Sequence, residues 1–142
     1  MKTIKFKNMV PPHAGDIKIP MPLAPIIFGS SDEVRRLLVS TRIEVTCVPD
    51  SWKKFAGADI EKIRKTCVDP INGIHAESTT QMPLTFLDES TGKAWTSPEM
   101  KVYFSKDLDK SDCGIFGFVS DSTCLFSGAS FSGGVTKLTI PG

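Results

Sequence analysis

Two histidines, His13 and His75, are the only imidazoles this 142-residue chain can bring to acid–base chemistry or metal ligation. His13 lies among prolines just ahead of Asp16, and His75 follows Asn72-Gly73 and precedes Glu77. Four cysteines accompany them, Cys47, Cys67, Cys113 and Cys124. A small enzyme built on these residues would use His75 as the base, with Cys67 or Cys113 as nucleophile or with an acid as partner. The cysteine spacings match neither a zinc site nor a redox pair. Asp88-Glu89 and the trio Asp107, Asp109 and Asp112 lack the glycine-framed ligand spacing of a calcium loop and read as acids of solvated turns. There is no glycine-rich phosphate loop and no G-x-S-x-G elbow. The sequence therefore predicts no catalytic residue, no cofactor and no metal, and the expectation is a protein that is not an enzyme.

The densest charge cluster is basic: Lys53, Lys54, Lys62, Arg64 and Lys65. On a helix over residues 53–65 these side chains would offer a patch to nucleic acid or to an acidic protein. No aromatic stacking run goes with them, and the overall balance of 17 basic against 16 acidic residues does not suit a dedicated nucleic-acid binder. Nucleic acid is accordingly not an expected partner, and the patch reads first as a solvated face. The charge is uneven along the chain: residues 1–71 carry 12 Lys/Arg against 8 Asp/Glu, a net of +4, and residues 72–142 carry 5 against 8, a net of −3. That asymmetry suits head-to-tail contact between copies. No run approaches the ~18 uninterrupted apolar residues of a membrane span, and the opening MKTIKFK lacks the apolar core of a signal peptide. The expectation is a soluble chain made in a reducing cytoplasm, with free thiols, no membrane partner and a possible final place in an assembled particle.

The elements that must position these residues begin with an alternating strand at Thr3–Lys7. Prolines at 11, 12, 20, 22 and 25 then exclude any helix from residues 8–29 and make the segment extended. Its apolar string, Ile17, Ile19, Met21 and Leu23 at alternate positions and then Ile26, Ile27 and Phe28, needs burial. Pro20 and Pro22 remove donors from one side only, as in an edge strand. We read residues 1–29 as an extended arm and residues 30–142 as a globular α+β body, the two making one domain. The arm can lie on its own domain or on a neighbouring copy.

Ser30 and Glu33 form a capping-box pattern ahead of Val34, Leu37 and Leu38, which predicts a short first helix. Period-two alternation over 41–48 predicts a strand with Ile43, Val45 and Cys47 on one side, and residues 50–68 predict a second helical region broken at Gly57. Residues 69–83 read as a loop. A hairpin over 84–87 and 93–96, a strand over 100–104 and a last strand over 135–140 follow.

The apolar runs 114–119 and 124–131 flank Ser120-Asp121-Ser122-Thr123 and predict a second hairpin. Its register would place Gly117 beneath Phe126, with Phe116, Phe118 and Leu125 on one face and Ile115, Val119 and Phe126 on the other. The same register holds Cys113 and Cys124 too far apart for a disulfide. Neither face is polar, so the element should be covered on both sides.

Together these readings predict an α+β, β-dominated fold: an antiparallel sandwich or meander with two short helices and a proline-rich N-terminal arm. A fold of this build without catalytic machinery points to a structural subunit that self-associates through its arm and sheet edges. Virion-type parts such as capsid, decoration or tail proteins are built this way. Its expected partners are copies of itself and other structural proteins.

Overall fold

Strands dominate the regular secondary structure of the chain. A computed structural model describes residues 1–12, 15, 16, 18–57, 59–118 and 125–142. The strands are β1 (Thr3–Lys7), β2 (Leu23–Ile27), β3 (Val34–Ser40), β4 (Thr46–Pro49), β5 (Glu61–Asp69) and β6 (Ile74–Met82). They continue with β7 (Thr85–Leu87), β8 (Ala94–Thr96), β9 (Met100–Ser105), β10 (Gly114–Gly117), β11 (Gly128–Ser130) and β12 (Val135–Thr139). Nine of them form one sheet in the order β5-β6-β9-β4-β10-β3-β2-β7-β8, and β1-β12-β11 form a second. The β-dominated reading holds in this coarse form.

The large sheet is mixed rather than wholly antiparallel. β10 runs parallel to β3 and antiparallel to β4, and β4 runs parallel to β9. Its two faces carry separate apolar clusters. Ala24, Ile26, Phe28, Leu37, Val39, Val48, Trp52, Phe86, Val102, Phe104, Phe116 and Phe126 share one cluster with Ile4, Phe6 and Leu138 of the small sheet. Ile43, Cys47, Ile74, Ala76, Leu108 and Ile115 make the other.

The first expected α-helix is replaced by a strand, and the second by a 3₁₀ helix followed by a strand. Residues 34–40 form β3, enclosed by β2 and β10, so Leu37, Leu38 and Val39 serve a strand flanked on both edges. The 3–4 spacing of Val34, Leu37 and Leu38 is equally a short apolar run, and sheet pairing overrides the helical reading. Ser31 rather than the expected Ser30 caps a tight turn instead: the Ser31 N–H donates to the Phe28 carbonyl, Ser31 Oγ accepts from the Glu33 N–H and Arg35 Nε, and the Ser30 N–H donates to the Phe55 carbonyl. That turn needs Gly29, at φ +55°, because a Cβ there would lie 1.8 Å from the Phe55 carbonyl oxygen.

The second helical region divides. Residues 50–55 form a 3₁₀ helix with Trp52 buried, and residues 61–69 form β5 on the margin of the large sheet. The loop expected over 69–83 contains β6, a nine-residue strand between β5 and β9. The hairpin of β7 and β8 is present, as are strands over 100–105 and 135–139.

Among the described residues of 114–131, the two expected hairpin arms do not pair with each other. Residues 114–117 enter the large sheet as β10, whereas residues 128–130 join β12 in the small one. An element apolar on both faces is an interior strand, and β10 takes that role between β3 and β4. Gly117 therefore faces main chain: a Cβ there would lie 2.8 Å from Ile43 O, Val45 N and Val45 O. Phe126 packs edge-on against Phe116 with centroids 5.7 Å apart, so the two rings share a cluster instead of lying on opposite faces. Val119 and Cys124 lie outside the described residues. Cys47, Cys67 and Cys113 are free thiols.

The N-terminal segment does not stand off as an arm. β1 pairs with β12, Met9 and Met21 exchange two backbone hydrogen bonds, and β2 lies inside the large sheet between β3 and β7. The expectation of an edge strand fails at β2. Pro25 is tolerated there because the β7 ladder reaches only Ile26 and Ile27.

Candidate functional site

The residues singled out by sequence separate into a buried group and a surface group. Leu23, Ile26 and Phe28 are fully buried, the Phe28 ring lying 5.4 Å from Trp52 and 6.3 Å from Phe104. Ile27 and Met21 are half-buried, Ile19 is 73% exposed, and Ile17 lies outside the described residues. Their apolar string is thus chiefly core, with Ile19 left on the surface.

The basic residues are gathered by two elements rather than by one helix. Lys53 and Lys54 lie in the 3₁₀ helix at 50–55, whereas Lys62, Arg64 and Lys65 lie along exposed β5. The register Lys62↔Ser78↔Phe104 across β5, β6 and β9 sets these three residues in one row, and Lys53 Nζ closes it from above, 5.9 Å from the Phe104 ring centre. The result is a pocket of about 330 Å³ lined by Lys53, Lys62, Lys65, Lys106, His75, Ser78, Phe104, Asp50, Glu77 and Asp107.

The charges in this pocket are unequally satisfied. Lys53 Nζ lies 2.6 Å from Asp50 Oδ1. Asp107 accepts from the His75 N–H at 2.9 Å, with its Oδ2 3.9 Å from His75 Nδ1. Among the described residues, Lys62, Lys65 and Lys106 have no carboxylate within salt-bridge distance. Beneath them Ser78 is 2% exposed, and its Oγ is the one buried side-chain nitrogen or oxygen among the described residues without a hydrogen-bond partner. Its neighbours in β6 are satisfied: Thr79 Oγ1 donates to the Val102 carbonyl and Thr80 Oγ1 to that of Asp59. No family model matches this chain, and no curated protein matches it.

His75 does not form a nucleophile pair here. Cys67 faces it across the β5–β6 ladder, but its exposed side chain opens to a different pocket, shared with Arg42, Ile71 and Tyr103. Among the described residues no hydrogen bond joins Cys67 or Cys113 to His75, whose Nδ1 lies 3.1 Å from the Gly73 carbonyl. Burial pushes the Cys47 thiol up to about 12 and the Cys113 thiol up to about 11, which keeps both protonated and unreactive at neutral pH.

The acids noted in sequence are engaged in structure. Burial pushes the Asp88 carboxyl up, but hydrogen bonds from the Ser90 side chain and the Thr91, Ser90 and Lys5 N–H groups outweigh it and hold the group below its ordinary range. Glu89 pairs with Arg36 at 3.2 Å, Asp109 accepts from the Ser51 N–H, and Asp112 accepts from Trp52 Nε1 at 2.7 Å. Among the described residues no three His, Cys, Asp or Glu side chains converge on a metal position, and no helix is long and apolar enough to cross a membrane.

Sequence reasoning missed Asp50, Ser78 and Lys106 as members of the pocket. Ser78 could be found only by recognising β6 as an interior strand, and Lys106 only by knowing that the chain turns immediately after β9.

Proposed function

We propose that the chain is a non-enzymatic assembly subunit, of the kind that builds capsids, decorations or tails, and that copies join by extending the large sheet head to tail. The observation that carries this reading is β5. It is nine residues long, exposed along most of its length, and among the described residues bonded only to β6. Such an edge is a ready template for another strand.

The charges on β5 select the partner. A symmetric antiparallel pair of β5 strands centred on Arg64 or on Lys65 would set that cation against its own copy, and the Lys65 register would also set Glu61 against Asp69. Like charges directly opposite one another are unfavourable, so β5 disfavours its own kind. The opposite margin of the sheet is β8, which carries no charge of its own and lies between Lys93 and Glu99 in the acidic half of the chain. Pairing β5 with a neighbour's β8 joins the basic part of one chain to the acidic part of the next, a heterologous contact that builds rings or filaments. Exposed Ile19 is available to the same assembly.

Sedimentation of the full-length chain over a concentration series tests the proposal. Large species should grow with concentration and shrink as salt rises. Arg64→Glu, on β5 but outside the lysine pocket, should remain monomeric with an unchanged melt. A wild-type chain that stays monomeric at every concentration, or an Arg64→Glu variant that assembles like wild type, overturns it.

A further inference from the structure

The lysine pocket has no task in sheet extension, and its chemistry is specific. Lys62, Lys65 and Lys106 line a concavity of about 330 Å³, and none of them has a carboxylate in salt-bridge range among the described residues. Of the three acids in the lining, Asp50 is held by Lys53 and Asp107 by the His75 N–H, which leaves Glu77 as the one uncommitted negative charge. Like charges gathered at this distance repel one another unless an anion lies between them. The second observation is independent of charge. A buried hydroxyl without a partner is costly, and native proteins rarely keep one. Ser78 Oγ is such a hydroxyl and belongs to a residue lining this same pocket.

We infer that the pocket binds the phosphate group of a small phosphorylated molecule, with Lys62, Lys65 and Lys106 as charge partners and the Ser78 hydroxyl as a further donor. Phosphate suits the site better than a carboxylate because it carries close to two charges and offers oxygens in several directions to separate ammonium groups. The volume lies near the lower end of ligand pockets, which run from roughly 300 to 1,000 Å³. A compact ligand fits; an extended polyanion would have to pass Glu77 and Asp107. Phe104 supplies an apolar floor, and Lys53 above it is steered by Asp50. The inference does not depend on assembly: a monomer would bind equally well.

Calorimetric titration of the full-length chain with inorganic pyrophosphate tests it, with sulfate and a single-stranded oligonucleotide as comparisons. Saturable 1:1 pyrophosphate binding is expected, tighter than that of sulfate. The Lys62→Gln/Lys65→Gln double variant should bind about 100-fold more weakly, about tenfold for each lost charge partner. Ser78→Ala should bind severalfold more weakly while melting no lower than wild type, because the deleted hydroxyl has no partner to lose. Lys54→Gln is the surface control, since Lys54 lies over the Phe55 ring and outside the pocket. Absence of saturable pyrophosphate binding overturns the inference. So does a Lys54→Gln variant as damaged as the pocket double variant, or an oligonucleotide that binds more tightly than pyrophosphate and depends as much on Lys54 and Arg64 as on Lys62.

Discussion

Replacing Gly117 with alanine adds a single methyl group, and the structure predicts a large penalty for it. The added Cβ would lie 2.8 Å from each of three main-chain atoms, Ile43 O, Val45 N and Val45 O. None of these can rotate away as a side chain would, so β10 itself must retreat. Retreat stretches the hydrogen bond from the Gly117 N–H to Thr46 Oγ1, now 3.3 Å, and that from the Phe118 N–H to the Ser40 carbonyl, now 2.9 Å. It also shifts Phe116, whose ring packs on Phe86 and Phe126. Overpacking costs about 1–3 kcal/mol and a weakened buried hydrogen bond about 1 kcal/mol, so Gly117→Ala should lose about 2–4 kcal/mol. That is a large share of the roughly 5–15 kcal/mol that holds a domain together. Gly128→Ala is the matched control: its nearest neighbour would be Thr139 Oγ1 at 3.9 Å, the end of a side chain. The control should be neutral or gain about 0.4–1 kcal/mol through the unfolded chain. Urea unfolding of the two variants, fitted with a common m-value, measures the difference. A Gly117→Ala loss below about 1 kcal/mol, or one equal to that of Gly128→Ala, would refute the close crossing of β10 over residues 43–45 on which the fold of this region rests.

Two further outcomes follow from the titratable groups. The hydrogen bond from Arg42 holds the Asp69 carboxyl down at about 2, below its ordinary range of 3.8, with Asn72 adding to it against the opposing effect of burial. A depressed carboxylate gives stability that is full above its unfolded pKa and lost as pH falls from about 4 to about 2. Because Arg42 is partly exposed, the loss should be about 1–2 kcal/mol; acid unfolding curves should show Arg42→Gln missing this component, and a wild-type slope identical to that of the variant would contradict it. Alkylation followed by peptide mapping should modify exposed Cys67 first and leave buried Cys47 protected until unfolding, with Cys113 slower than Cys67. Equal rates at Cys47 and Cys67 would contradict the burial of β4.

The readable parts of the sequence were those with a single period. β1, β9 and β12 alternate over isolated stretches, and the β7–β8 turn is fixed by the Asp88 carboxylate and by Gly92 at φ +73°. β3 and β5 were obscured because a few apolar residues three and four apart fit a helix as well as a strand. Only their neighbours in the sheet decide between the two. β6 was hidden by its composition: Ser78, Thr79 and Thr80 are buried yet polar, and Thr79 and Thr80 are tolerated through side-chain bonds to distant carbonyls that no local pattern announces. The basic cluster was visible as residues but not as a pocket, since its closure depends on Lys106 arriving from the far end of β9. Of the aromatic residues in 114–131, Phe116 and Phe126 are buried and Phe131 is exposed; what covers the buried two comes from elsewhere in the chain.

The small sheet sets a schedule for folding. β1 is made long before its strand partner β12, with Ile4 facing Leu138 and Phe6 facing Thr136. At roughly 5–20 residues per second, a ribosome takes on the order of ten seconds to reach those partners. Throughout that interval Ile4 and Phe6, wholly buried in the finished molecule, have no sheet to lie in. Closing so long a loop also makes this pairing among the slowest contacts to form. A chain in which β12 is not yet in place is therefore expected to be a client for a holding chaperone through β1, and to lose that dependence once β1 and β12 pair.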